Sequence, residues 1–124
     1  GEHPNYMLSR NRGEEFTEKL AKGITAFVKA FDPRPVVYRT TDFKTNEYRN
    51  LVGGGEYEGE EENPMLGYRG ASRYVRDLEA FKLEIEAIKK VRREYKNLWV
   101  MVPFVRTVEE MANVKAMLTR EGLI

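Results

Sequence analysis

Residues 98–105 read LWVMVPFV, a continuous apolar run that decides the fold. A second run, PVVYRT at residues 35–40, is also largely apolar and is bounded by prolines on its N-terminal side. Neither run alternates apolar with polar positions, a pattern typical of strands that are buried on both faces of a parallel sheet. The two runs therefore predict two parallel strands that are covered by neighbouring elements.

Helical periods flank both strands. Apolar residues recur at steps of three and four over residues 14–31, and this helix is expected to end before Pro33. Residues 72–96 carry the longest period and predict one continuous helix. Residues 107–122 begin with the capping-box pattern TVEE and end in glycine, which predicts a third helix. Helices that alternate with buried strands predict an α/β fold with a parallel sheet.

A long segment without a period, residues 41–70, separates the first strand from the second helix. Six of the ten glycines lie in it, and long irregular loops in compact domains are often functional. Its stretch 53–64 holds five glutamates and no basic residue. The spacing of these acids lacks the alternating oxygen ligands of a calcium loop, so a solvated acidic loop is predicted. The glycines at 53–55 are expected to form a flexible turn.

The N-terminal residues 1–13 have no period and are expected to form a lead-in loop, with at most a short helical turn. They contain the single histidine, His3, which is predicted to be a solvated terminal residue. The chain has no cysteine, which excludes disulfides and thiol nucleophiles. No apolar stretch resembles a membrane span or a signal segment, so a cytoplasmic protein with no membrane partner is expected. The net charge of +1 argues against a nucleic-acid partner.

Three arginines occupy positions where parallel α/β folds bind ligands, beyond the carboxyl ends of the strands. Arg39 ends the first strand, Arg106 follows the second, and Arg69 lies between glycines in LGYRG. Guanidinium groups bind phosphate and carboxylate through paired, charge-assisted hydrogen bonds. The spacing predicts an anion site, and surface salt bridges to nearby glutamates are the alternative interpretation.

Longer motifs run through the same segments. They read YRTTDFKTNEYRNL at residues 38–51, EENPMLGYRGASRY at 61–74 and MVPFVRT at 101–107. In sequence and in order they resemble the phosphoenolpyruvate synthases, also called pyruvate, water dikinases. Pyruvate phosphate dikinase and enzyme I of the sugar phosphotransferase system share the Arg-x-x-Asp and Asn-Pro-x-x-Gly-x-Arg cores but differ after the aspartate. A fragment of one of these sister families and a non-enzymatic anion-binding module remain alternatives.

The resemblance implies part of a (β/α)8, TIM-type barrel that binds phosphoenolpyruvate (PEP) and pyruvate. It also implies a reaction in which ATP, pyruvate and water give PEP, AMP and phosphate through a phosphohistidine. By motif position, Arg39 and Arg69 are expected to be catalytic and to hold the transferred phosphoryl group. Arg106 is expected to bind substrate at the rim of the site. Asp42 and Asn63 are expected to orient these side chains.

A complete barrel takes about 250 residues, so residues 1–124 are expected to be a single-domain fragment that is inactive alone. The resemblance places the Mg²⁺ ligands, and a cysteine thought to protonate the enolate, beyond Ile124. It places the ATP-binding and phosphohistidine domains, the expected partners in the parent chain, before Gly1. No metal site is expected within the chain, and its exposed strand edges are expected to cause self-association. A stop codon directly after Ile124 would favour the non-enzymatic module.

Overall fold

The computed structural model describes the whole chain, from Gly1 to Ile124. Its elements are two strands, seven α-helices and one turn of 3-10 helix. In chain order they are α1 (Pro4–Ser9), α2 (Gly13–Phe31), β1 (Val36–Arg39), α3 (Thr45–Arg49), α4 (Gly54–Tyr57), the 3-10 turn (Pro64–Leu66), α5 (Ala71–Arg76), α6 (Leu78–Glu94), β2 (Leu98–Met101) and α7 (Val108–Arg120).

The two strands form a parallel sheet. Val36 lies opposite Leu98, and Arg39 lies opposite Met101. The predicted α/β fold with parallel strands is therefore confirmed. Because both strands run in the same direction, the segments that follow them begin at the same edge of the sheet, and this edge carries the candidate site.

The sheet is covered on one face only. On the covered face, Leu98 is fully buried in the cluster that β2 forms with α2 and α6. On the opposite face, Val37 and Trp99 are 60% and 58% exposed. The prediction of burial on both faces is wrong for this chain, because no element of residues 1–124 covers the side chains that point away from α2 and α6.

Two apolar clusters form the interior. One cluster lies where α2 packs on α6 and the sheet, and the other joins α5, α6 and α7. The first contains Ala21, Ile24, Val28, Ala87, Ile88, Val91 and Leu98. The second contains Ala71, Tyr74, Phe81, Ile85, Val114 and Leu118.

The region predicted as one helix over residues 72–96 consists of two helices, α5 and α6. Asp77 separates them, with φ −112° and ψ 64° outside the helical range. This break allows α5 to pack on α7 while α6 packs along α2. The prediction of a single helix is wrong. The apolar period continues through Asp77 and gives no sign that the backbone leaves the helical conformation there.

Other local expectations are also revised. The lead-in loop contains helix α1, and the segment 41–70 contains α3, α4 and the 3-10 turn. Helix α2 has the predicted extent, but Phe27 and Phe31 of its apolar stripe are 64% and 46% exposed. The cap of α7 is confirmed, since the Thr107 hydroxyl accepts a hydrogen bond from the Glu110 N–H at 3.0 Å.

None of the helices combines the length and apolar character needed to cross a membrane.

Candidate anion-binding site

The site begins where two loops meet at the edge of the sheet. The Ala71 N–H donates to the carbonyl of Pro103 at 3.1 Å, which joins the start of α5 to the loop after β2. Gly70 makes this approach possible. Its φ is 64°, and a Cβ at this position would lie 2.5 Å from the Pro103 oxygen. Glycine alone tolerates both this conformation and this distance.

A buried ion pair between Arg69 and Asp42 forms the centre of the site. Arg69 donates through Nε to Asp42 Oδ1 at 2.8 Å and through Nη2 to Oδ2 at 3.0 Å. The two side chains are only 11% and 3% exposed. Hydrogen bonding to Asp42 raises the pKa of Arg69 above its ordinary value despite the opposing effect of burial. Arg69 is therefore a fixed and permanently charged group.

Arg39 approaches the same carboxylate from the end of β1. Its Nη1 lies 3.6 Å from Asp42 Oδ2, while its side chain is 56% exposed. One buried carboxylate thus faces two guanidinium groups, which leaves a surplus of positive charge at the sheet edge. The remaining donors of Arg39 are available to an anion from solution.

Phe104 supports two arginines of the site and was missed by sequence reasoning. Its φ of 52° lies in the left-handed region that non-glycine residues rarely adopt. The Arg69 and Arg106 Cζ atoms lie 4.0 Å and 5.3 Å from its ring centroid. Such strained residues concentrate at functional sites. The motif MVPFVRT contains Phe104, but nothing in the sequence marks its backbone conformation.

Arg106 is held by backbone and hydroxyl oxygens rather than by an acid. It donates to the Gly67 carbonyl at 2.8 Å and to Ser72 Oγ at 3.3 Å. These bonds connect the loop after β2 with the segment that carries Arg69. The structure therefore places Arg106 beside Arg69, and the positive charge of Arg106 is not neutralised by a carboxylate.

Asn63 differs from the other predicted site residues. Its side chain is exposed and makes no hydrogen bond to Arg39 or Arg69. Its backbone carbonyl accepts from the Leu66 N–H at 3.1 Å in the 3-10 turn. The structure thus brings Arg39, Asp42 and Arg69 together and leaves Asn63 outside their hydrogen bonds, so the orienting role expected of Asn63 has no contact to support it here.

A second buried arginine pair lies next to the site and was not predicted. Arg73 donates through Nη2 to Glu58 Oε2 at 2.9 Å, and its Nη1 bonds to Oε1. The Arg73 Cζ lies 4.1 Å and 4.3 Å from the ring centroids of Tyr48 and Tyr68. Arg73 is 5% exposed and Glu58 is 6% exposed. The prediction of a solvated acidic loop is therefore wrong at Glu58.

His3 completes this second pair. Its Nδ1 accepts from the Asn5 N–H at 3.0 Å, so Nε2 carries the proton and donates to Glu58 Oε1 at 2.8 Å. His3 is 1% exposed, and the prediction of a solvated terminal histidine is wrong. Burial raises the pKa of the Glu58 carboxyl, but hydrogen bonds from His3 and Arg73 outweigh it, and the pKa lies below its ordinary value.

Glu84 is a third buried carboxylate, and it holds the segment that leads to Asp42. Its Oε1 accepts from the Thr41 N–H at 2.7 Å, from Thr41 Oγ1 at 3.0 Å and from the Tyr38 hydroxyl. Burial raises the pKa of Glu84 above its ordinary value. A sequence signal was available, because an acid at residue 84 interrupts the apolar stripe between Phe81 and Ile88.

Comparison with known proteins identifies the family. The family model described as "PEP-utilising enzyme, PEP-binding domain" matches residues 5–123. The chain belongs to this family. Two relatives illustrate the likeness. The chain is 52% identical over 128 residues to the phosphoenolpyruvate synthase of Aeropyrum pernix and 50% identical over 114 residues to that of Escherichia coli. These alignments cover 99% and 89% of the chain.

A relative from Staphylothermus marinus, named as a probable phosphoenolpyruvate synthase, is 51% identical over 125 residues, or 98% of the chain. The chain spans only 16%, 15% and 14% of the lengths of the Aeropyrum, Staphylothermus and Escherichia relatives. In this PEP-binding domain, the arginine–aspartate cluster lies at the edge of the sheet where the segments after both strands begin.

Proposed function

We propose that this chain is part of a phosphoenolpyruvate synthase and that Arg39 and Arg69 hold the phosphoryl group of PEP. The observation that carries the proposal is the buried Asp42 carboxylate, which fixes Arg69 and leaves Arg39 with free donors. Phosphoryl transfer depends mainly on positive charge placed in advance where negative charge develops. An arginine fixed by a buried acid meets this requirement without rearrangement.

Each arginine has a distinct part in this proposal. Asp42 occupies Nε and Nη2 of Arg69, so Nη1, whose nearest acceptor is the Met65 carbonyl at 3.5 Å, is the nitrogen left for the phosphoryl oxygens. Arg39 supplies a second set of donors from the strand end. Arg106 binds the substrate from the rim of the site, because its charge is not neutralised by an acid.

The proposed reaction converts ATP, pyruvate and water into PEP, AMP and phosphate through a phosphohistidine. We place the ATP-binding and phosphohistidine domains, and the Mg²⁺ ligands, elsewhere in the complete protein. The described residues include no group of three His, Asp or Glu side chains arranged to hold a metal ion. These residues alone therefore do not supply the ligands of a magnesium site. A cytoplasmic location is part of the same proposal.

We further propose that the domain is part of a (β/α)8 barrel. The exposed face of the two strands supports this proposal, because Val37, Trp99 and Met101 are apolar and 60%, 58% and 44% exposed. Exposed apolar patches of this kind mark surfaces that another element covers. In isolation, residues 1–124 would use the same face to self-associate. Sedimentation at increasing concentration checks this, and a clean monomer would contradict it.

The proposed function is tested with the protein expressed from its complete reading frame. We expect PEP formation from ATP, pyruvate and water, and none from residues 1–124 alone. A requirement for inorganic phosphate as the second phosphoryl acceptor would instead assign the pyruvate phosphate dikinase reaction. Absence of any PEP formation by the complete protein would contradict the proposal.

The role of Arg69 has its own test. Loss of one donor that stabilises transition-state charge raises the barrier by about 3–4 kcal/mol, so Arg69→Ala is expected to lower turnover at least about a hundredfold. Arg93→Ala, an exposed arginine of α6, is the matched control and should keep normal turnover. Near-normal steady-state turnover of Arg69→Ala would contradict the assignment.

A further inference from the structure

A cavity of about 240 Å³ lies beside the arginine–aspartate cluster, between the N-terminal segment, the loop after β1 and helices α5 and α6. This volume is many times the roughly 10–15 Å³ that one water molecule needs. The residues of the cavity take no part in the proposed phosphoryl chemistry. The cavity is nevertheless joined to the cluster, because Thr41 lines it and immediately precedes Asp42.

The carboxylate of Glu84 lies at this cavity with one oxygen unused. All three hydrogen bonds to Glu84, from Thr41 N–H, Thr41 Oγ1 and the Tyr38 hydroxyl, end on Oε1. The other oxygen, Oε2, receives no hydrogen bond from the chain, and Glu84 is one of the residues that line the cavity. Glu84 is 4% exposed as a residue. A buried carboxylate oxygen without a donor selects a ligand that brings one.

The charged side chains around the cavity differ in whether they have a partner of opposite charge. Its one arginine, Arg73, is already paired with Glu58, which compensates its charge. Asp77 also lines the cavity and accepts only a neutral donor, the Asn5 side-chain amide at 2.6 Å. Glu84 is likewise bonded only by neutral donors. Two acids at the cavity, Asp77 and Glu84, therefore have no cationic side chain as a partner.

Five aromatic side chains line the cavity. Two of these side chains, Tyr74 and Phe81, stack with their ring centroids 4.2 Å apart. Aromatic faces attract organic cations, and the attraction increases when the cation leaves water. The aromatic lining residues are Phe16, Phe43, Tyr48, Tyr74 and Phe81.

We propose that this cavity is a binding site for a small organic cation, a primary ammonium that carries an apolar group. The ammonium would donate to Glu84 Oε2, and the apolar group would pack against the aromatic walls. The site is distinct from the anion site in charge and in its residues. The proposal goes beyond the PEP chemistry and does not depend on it.

The test uses benzylammonium as the probe and benzyl alcohol as its neutral counterpart, without PEP, on the protein expressed from its complete reading frame. By calorimetry, benzylammonium should bind at least about tenfold more tightly than the alcohol, since hydrogen bonds to charged groups contribute about 1.5–3 kcal/mol. Glu84→Gln keeps the acceptor for Thr41 and should lose that preference. Glu79→Gln, whose side chain is 70% exposed on the same helix, should retain it.

A second measurement locates the probe. The Thr41 amide donates to Glu84, so its NMR resonance should shift on titration with benzylammonium in the wild-type protein. Equal binding of the two probes, unchanged binding by Glu84→Gln, or no shift of the Thr41 amide would each overturn the proposal. The outcome is separate from that of the PEP assays, because neither probe is a substrate or product of the proposed reaction.

Discussion

Arg69 and Arg73 lie four residues apart, and each forms a bidentate pair with a buried carboxylate, but their surroundings differ. Arg73 lies against two tyrosine rings, and its acid, Glu58, receives a further hydrogen bond from a neutral histidine. Arg69 lies against a single ring, and its acid also faces Arg39. One group is electrically balanced and enclosed, and the other has a surplus cation that reaches solvent.

The difference separates a structural ion pair from a binding site. A buried ion pair is by itself weak evidence for a contribution to stability, because its Coulomb attraction is largely offset by the loss of hydration. What distinguishes the Asp42 cluster is the second guanidinium, since Arg39 is 56% exposed and its remaining donors have no acceptor in the chain. The enclosed Glu58 pair, by contrast, connects the N-terminal segment to α5.

The largest expected effect concerns the enclosed pair. Arg73→Ala should lower the free energy of unfolding by about 3–5 kcal/mol, because it leaves the Glu58 carboxylate buried without its cation. Urea denaturation of the protein measures this loss. Arg76→Ala, an exposed arginine of the same helix, serves as the control and should change the free energy little. A loss below about 1 kcal/mol for Arg73→Ala would place this pair among weak surface ion pairs.

A smaller effect is expected at Phe104, which belongs only to the Asp42 cluster. Phe104→Leu removes the ring that lies 4.0 Å from the Arg69 Cζ. Since a cation–π contact contributes about 0.5–2 kcal/mol, the affinity for PEP should fall about two- to thirtyfold. Phe104→Tyr keeps a ring and should restore most of the affinity. Equal affinities for PEP in the Leu variant and the wild-type protein would contradict this role.

The smallest expected effect is on the pH dependence of stability. It is small because burial raises the pKa of Glu58 while hydrogen bonds lower it. The pKa of Glu58 is lower in the folded protein than its ordinary value of 4.5. The contribution of Glu58 to the free energy of unfolding is therefore fully present above pH 4.5, its ordinary pKa, and is lost as the pH falls towards the pKa in the folded protein. Glu58→Gln should make the decline in unfolding free energy below pH 4.5 shallower.

The matched control for this experiment is Glu56→Gln, at an exposed acid of the same segment. This variant should show the wild-type decline in stability at acid pH. Identical profiles for the Glu58 and Glu56 variants would mean that the enclosed pair makes no contribution to acid stability.

Local patterns predicted much of the fold and of the Asp42 cluster. The apolar runs gave both strands, the periods gave α2 and α7, and the positions of arginines at the strand ends indicated the anion site. Arg39 and Arg69 do meet at Asp42, but Asp42 itself was expected only from the family resemblance and not from a local pattern.

The remaining features depend on contacts that no local pattern encodes. His3 and Glu58 are 55 residues apart in sequence, and each alone has the composition of a solvated residue. Burial of these two residues follows from the pairing of residues 1–3 with the segment around Val52. The break at Asp77 and the left-handed backbone of Phe104 likewise follow from tertiary packing rather than from residue type.

The most direct test of the binding role of the Asp42 cluster is the affinity for PEP. It is measured by calorimetry for Arg39→Ala, Arg76→Ala and the wild-type protein. Both arginines are exposed, so neither substitution removes a buried partner. Arg39→Ala removes charged hydrogen bonds of about 1.5–3 kcal/mol and should weaken PEP binding at least about tenfold, whereas Arg76→Ala should leave it unchanged. Wild-type affinity in Arg39→Ala would contradict the claim that the surplus cation of the Asp42 cluster binds the phosphoryl group.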